Sequence, residues 1–180
     1  MIKKEVGSLK EEIEIVANLM ELSANSSPKA KEDDLEILLV DEAEREMIVE
    51  EMFQLADKLN DESYSEKGEY IEKSESLMFI GLNEHESLGI DCRACGFESC
   101  EDMENSDQEE DIFEGPNCIF KVIDLGLSLG YALNTADIHN IDSRLMIRAG
   151  MAAKSLGLMS SRICFGIPIN VNNEKSYFEE

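Results

Sequence analysis

Leu9, Ile13, Val16 and Met20 recur at steps of four, three and four residues, the spacing of one apolar face on an amphipathic helix. Ser8 and Glu11 form a capping-box pair at its start, and the helix is expected to run to about Leu22. The stretch S-A-N-S-S-P-K-A-K then breaks it into a loop, through its Ser/Asn cluster and Pro28. L-E-I-L-L-V, Leu35 to Val40, is short, mostly apolar and partly β-branched, and reads as a buried strand. Asp41 and Glu44 make a second capping box, ahead of a helix whose buried face is Ile48, Met52, Leu55 and Leu59. Residues 60–75 are polar and contain a glycine, and no apolar face emerges from them. S-L-M-F-I-G-L, Ser76 to Leu82, is a second buried strand.

Periodicity fails from about 89 to 118 and then resumes. Ile119 to about Ala136 reads as a helix carrying Gly126 and Gly130 one turn apart. Each glycine costs a helix about 1 kcal/mol relative to alanine, so the pair predicts a neighbouring backbone packed closely there. Asp142 is expected to cap a further helix with Leu145, Ala149, Ala153 and Leu156 on one face, ended by Gly157. I-C-F-G-I-P-I closes the chain's regular structure as a strand, and Pro168 predicts an edge or a strand end. Helices alternating with short apolar strands imply an α+β class fold, an α/β sandwich, as one domain over 1–180 with 89–118 inserted. There is no internal repeat.

Charge changes the picture more than length does. Forty acidic residues against sixteen basic ones give a formal charge of −24. Such a surface repels nucleic acid and anionic membranes, which demand Lys/Arg patches. It fits either a salt-rich cytoplasm, where screening tolerates dense negative charge, or an acidic face that docks a basic partner. No stretch approaches the roughly 18 apolar residues of a membrane span, and the N-terminus lacks a continuous apolar segment. The expected location is the cytoplasm, a reducing compartment in which clustered cysteines bind metal in preference to forming disulfides.

The cysteines supply the candidate chemistry. Cys92, Cys95 and Cys100 lie in C-R-A-C-G-F-E-S-C, and Cys118 follows after seventeen intervening residues, in G-P-N-C. Four converging thiolates are the ligand set of an iron–sulfur cluster, or less often of a structural zinc. Two cysteines with two residues between them bind adjacent irons from one tight turn. Gly96 frees the backbone to curl around the inorganic sulfides, and Pro116 and Asn117 shape the turn that returns Cys118. Eight acidic residues and no Lys or Arg lie between Cys100 and Cys118. No core is built from such a segment, so the metal is expected to order it, and the carboxylates are expected to lower the cluster's reduction potential. Cys164 sits inside the last strand and reads as a buried, inert thiol. His85 and His139 stand alone in loop-like stretches and read as solvated. No catalytic triad, phosphate-cradling glycine loop or basic nucleic-acid stripe is present.

The pattern C-x2-C-G-x3-C, then seventeen residues and C, resembles the four-cysteine cluster domain of the acetyl-CoA-synthase corrinoid protein and related electron-transfer proteins. S-P-K-A (Ser27 to Ala30), C-R-A-C-G-F-E-S-C, G-P-N-C-I-F-K-V-I-D-L-G (Gly115 to Gly126) and F-G-I-P-I together resemble a family of archaeal and bacterial proteins described as containing a ferredoxin domain. That resemblance implies a 4Fe–4S cluster held by Cys92, Cys95, Cys100 and Cys118, and supplies no reaction. The order of helices and strands is also similar to a trimmed flavin nitroreductase domain with the cluster segment inserted after its second strand. This second likeness implies an α+β fold and a homodimer. It also raises FMN as a cofactor, although Lys3 and Lys4 replace the arginines expected at the N-terminus and Lys29 is the nearest phosphate partner. Three functions follow as expectations: electron transfer to a redox partner in anaerobic metabolism, a flavin-dependent reductase fed by the cluster, or a zinc or cluster knuckle in an interaction protein.

Overall fold

The computed structural model describes residues 10–30, 35–83, 86–110 and 113–171. The elements in chain order are α1 (Lys10–Asn25), β1 (Leu35–Val40), α2 (Glu42–Leu59), α3 (Ser63–Glu72), β2 (Ser76–Leu82) and α4 (Cys100–Glu104). They continue with β3 (Glu109–Glu110), β4 (Glu114–Gly115), α5 (Ile119–Ile138), β5 (Asp142–Ser143), α6 (Ile147–Ser155) and β6 (Ile163–Asn170). Four strands form one antiparallel sheet in the order β1-β2-β6-β5, and β3 pairs with β4 as a separate hairpin. The fold is α+β, with helices on both faces of the sheet.

Alternation along the strands builds the two cores. Met78, Ile80 and Leu82 point with Ile167 and Ile169 to one face, where Ile13, Ala17 and Met20 of α1 meet Leu125, Leu129 and Ala132 of α5. Leu77 and Phe79 point to the other, against Ile48 and Met52 of α2, Ile71 of α3, and Ala149 and Ala153 of α6. β2 is buried almost throughout because it lies between β1 and β6 with helices above and below. A strand covered on both faces reads as a continuous apolar run, as S-L-M-F-I-G-L does.

Several local expectations hold. Asp41 caps α2, accepting from Glu44 N at 2.9 Å while the Glu44 carboxylate accepts from Asp41 N at 2.9 Å. Val40 is buried, but the rest of β1 is half-buried, because β1 is the sheet edge. The cap expected at Ser8 and the position of Leu9 lie outside the described residues.

Others are corrected. Leu59 is exposed at the last turn of α2. Residues 63–72 form α3, whose buried positions Tyr64, Gly68 and Ile71 are spaced at four and three, a face too small and polar to stand out in sequence. Asp142 caps no helix: it pairs with Asn170 in β5, and α6 begins after Met146 with no side-chain cap. Leu145 accordingly stays exposed. Pro168 lies inside β6, opposite Leu77. It is tolerated because β6 has only sparse pairing on its other side, at Gly166 with Met146 and then at Ile169 and Asn170. Gly126 and Gly130 are exposed, and a Cβ at either position would meet nothing within 4 Å among the described residues. The close approach of backbones occurs at Gly150 instead, where a Cβ would lie 1.9 Å from the Cys164 carbonyl oxygen, so α6 presses onto β6 there.

No helix among the described residues is long and apolar enough to cross a membrane.

Candidate metal centre

Cys92, Cys95 and Cys100 lie on the segment that leaves β2, and almost nothing apolar holds it. Among the described residues of 86–108 only Met103, in α4, is buried. Shape comes from polar contacts and backbone turns. Ser99 caps α4, its hydroxyl accepting from Asp102 N at 3.1 Å. Ser87 N donates to the Glu104 carboxylate at 2.7 Å, tying the start of the segment to α4. Asp91 and Cys100 are bonded twice: Cys100 N donates to the Asp91 carboxylate at 2.7 Å, and Asp91 N donates to Cys100 Sγ at 3.3 Å. The third thiol is thereby brought back to the backbone beside the first.

Asp91 and Arg93, on either side of Cys92, both have positive φ (48° and 59°), and Gly96 follows at 91°. Left-handed conformations cost a non-glycine residue of order 1 kcal/mol and concentrate at ligand-binding turns. Asn60 and Asn140 are also left-handed, but each follows a helix and serves its C-terminus, where that conformation is common. The pair around Cys92 has no such duty. Gly96 N donates to the Arg93 carbonyl at 3.0 Å, closing the turn that carries Cys95.

Cys118 stands on a separate element, at the start of α5. It is buried as the N-cap of α5 and its side chain caps no amide, which leaves the thiol uncommitted at the helix start. The positive end of a 20-residue helix favours negative charge beside it. The preceding turn is clamped by Arg162, which is buried. Its Nε donates to Asn117 Oδ1 at 3.0 Å, it bonds the Pro116 carbonyl at 3.3 Å and Gln108, and it pairs with the Glu114 carboxylate at 3.5 Å. Lys154 reaches the other Glu114 oxygen at 2.7 Å and the Ser161 carbonyl at 2.5 Å. Glu114 N donates to the Arg162 carbonyl at 3.2 Å. Sequence reasoning missed Arg162, Lys154 and Glu114. Their only signal was positional: G-P-N-C needs an anchor, and S-R-I leads into β6.

All five cysteines are free thiols. Cys92 is exposed, Cys95 and Cys100 are half-buried, and Cys118 is buried. Among the described residues no three His, Cys, Asp or Glu side chains converge as they would around one metal ion. The thiolates of a 4Fe–4S cluster each bind a different iron and need not meet at one point. The chemistry of the donor set therefore fits a cluster: four free sulfurs, three on a polar loop and the fourth on a fixed helix end.

The remaining candidates fall elsewhere. Cys164 is wholly buried in β6, and burial pushes its thiol up to about 12. His139 is exposed at the end of α5, and His85 lies outside the described residues. Lys29 donates to the Ala24 and Asn25 carbonyls at 3.2 and 2.5 Å, capping the C-terminus of α1. The S-P-K-A loop is pinned to α5, with Ala30 N shared between both Asp124 oxygens at 3.0 and 2.9 Å and the Ser27 and Ser128 hydroxyls 2.7 Å apart.

A helix-flanked antiparallel sheet with a polar, thiol-bearing loop defines an α+β protein of nitroreductase-like fold. Nitroreductase A from Vibrio parahaemolyticus superposes with a TM-score of 0.52 at 12% identity, over 97% of this chain and 63% of that one. The hypothetical oxidoreductase YcnD from Bacillus subtilis gives 0.50 at 15%, over 97% and 61%. The chain thus spans less than two thirds of the length of either, and the likeness is one of fold. An uncharacterized protein of Archaeoglobus fulgidus is 37% identical over 180 residues, 99% of this chain and 97% of the relative. Residues 114–179 match the family described as uncharacterized proteins containing a ferredoxin domain. The chain belongs to that family. The matched span contains Cys118 and the Arg162 clamp and begins after Cys100.

Proposed function

We propose that Cys92, Cys95, Cys100 and Cys118 hold a 4Fe–4S cluster and that the protein passes electrons to a redox partner in anaerobic metabolism. The reciprocal bonding of Asp91 and Cys100 carries this reading. An amide aimed at a ligand sulfur is the kind of contact that sets a cluster's potential. It forms here within a loop that has almost no apolar reason to adopt its shape.

When bound, the cluster supplies a one-electron redox centre. Asp91, Arg93 and Gly96 hold the turn that presents Cys92 and Cys95. Arg162 and Lys154 fix the turn that presents Cys118. The carboxylates between Cys100 and Cys118 disfavour an added negative charge, so the potential is low. Exposed Cys92 leaves one edge of the centre accessible, which suits transfer to another protein.

The test is iron retention in the full chain purified without oxygen. Wild type should hold about four irons per chain, and Cys100→Ala less than one, with the cooperative unfolding of the sheet retained. Wild-type iron content in the variant would show the cage to be wrongly assigned. Stoichiometric zinc in place of iron would make the site a structural knuckle.

A further inference from the structure

We infer that Lys121 is a buried countercharge to the four-thiolate centre and raises its reduction potential. The inference rests on the cluster reading above. Cys118 is the N-cap of α5, and Lys121 is the third residue of the helix proper. Those two positions are neighbours, since in a capping box the third helical side chain reaches back to the N-cap. Lys121 is 1% exposed and Cys118 7%. With Leu125 and Ser128 they make a buried row on α5 at steps of three, four and three. Leu125 packs with Leu82, the last residue of β2. Arg162 N donates to the Leu82 carbonyl at 2.8 Å, while its side chain holds the turn before Cys118. The start of α5 and the departure of the cysteine segment from β2 therefore share one end of the sheet.

Position makes this lysine costly. Removing an ammonium from water is unfavourable, and the positive end of a helix repels it. The first turn of α5 carries no acidic residue. Methionine or leucine would fill the space at neither cost, so packing alone does not call for a lysine here. Both costs fall when negative charge is fixed beside the N-cap. Cys118 brings that charge, because the form of cysteine that binds a metal is the thiolate.

Charge around the centre is thus divided. Eight carboxylates lie between Cys100 and Cys118 and disfavour an added electron, whereas a cation beside Cys118 favours one. The two influences differ in their response to salt. Mobile ions screen carboxylates on an exposed loop, and they screen a buried ammonium far less. One lysine can therefore offset several carboxylates, and its contribution is recognisable by its persistence in salt.

A redox titration followed by electron paramagnetic resonance tests this, on the full chain purified without oxygen and with its iron counted first. Lys121→Met keeps the bulk and removes the charge. Its reduction equilibrium should be about tenfold less favourable than that of wild type, a potential about 59 mV lower. The signal comes only from chains that hold a cluster, so partial loss of iron does not hide the shift. Lys121→Arg should return the potential towards wild type, and the gap should persist when salt is raised to about 1 M. If Lys121→Met fails to fold, Lys121→Gln is also neutral and should show the same shift. Equal potentials in iron-loaded wild type and a folded neutral variant would overturn the inference and leave the cluster reading standing. So would a gap that high salt abolishes. A wild type without iron would overturn the cluster reading, and this inference with it.

Discussion

The sheet and the cysteine loop are built by opposite means. Leu77, Met78, Phe79 and Ile80 are inaccessible to water, and their alternation alone tells each helix which face to cover. The loop that follows has one buried side chain among its described residues, Met103, and is shaped by the hydrogen bonds of Asp91, Ser87 and Ser99 and by positive φ at Gly89, Asp91, Arg93 and Gly96. Apolar burial gives one region its stability. Directed polar contacts give the other its geometry at little energetic gain, which fits the proposed role of gripping a cluster. Between them stands Arg162, which leads into β6 but whose hydrogen bonds reach out to the turn before Cys118.

This contrast predicts an order of effects. Phe79→Ala empties the centre of the sheet core and should cost about 3–5 kcal/mol in denaturant unfolding. A loss under about 1 kcal/mol would mean that the sheet is not the stabilising unit. Arg162→Met keeps much of the volume but leaves the Asn117 and Pro116 acceptors unmet, a loss of about 1–3 kcal/mol. It should also lower iron retention, which Phe79→Leu should not. Equal iron in both variants would detach the clamp from the site.

Glu36→Gln probes the body by pH. Burial raises the Glu36 carboxyl, but hydrogen bonds from Ser161 and Ser160 outweigh it and hold the group below its ordinary 4.5. Stability from this depressed group is present above 4.5 and is lost as pH falls through its folded value. Wild type should exceed the variant at pH 7 and converge with it in acid, and a constant gap would refute the assignment. Asp91→Ala should be the mildest for folding, within about 0.5 kcal/mol, because the loop is exposed. Its effect should appear as faster cluster loss in air.

Where one physical rule dominates, the sequence is legible. β2 is clear as an unbroken apolar run, and Asp41–Glu44 is clear because a capping box is local. α3 is hidden because its three buried positions sit among four charged residues, and one of the three is a glycine. Asp142 misleads because a cap residue and a strand residue look alike until Asn170 is known to lie opposite. The four thiols are visible by spacing, whereas their supports are not. Arg162 reaches Asn117 across 45 residues, and no periodicity encodes a contact of that kind. Gly126 and Gly130 mislead because a glycine pair in a helix looks the same whether or not a backbone approaches it; a Cβ at either position would meet nothing within 4 Å among the described residues.

The most direct measurement is electron paramagnetic resonance with iron and sulfide analysis on protein purified and reduced without oxygen. A 4Fe–4S centre held by Cys92, Cys95, Cys100 and Cys118 predicts about four irons and four sulfides per chain and a signal that appears on one-electron reduction. Protein without iron or sulfide, carrying one zinc or no metal, would contradict the account.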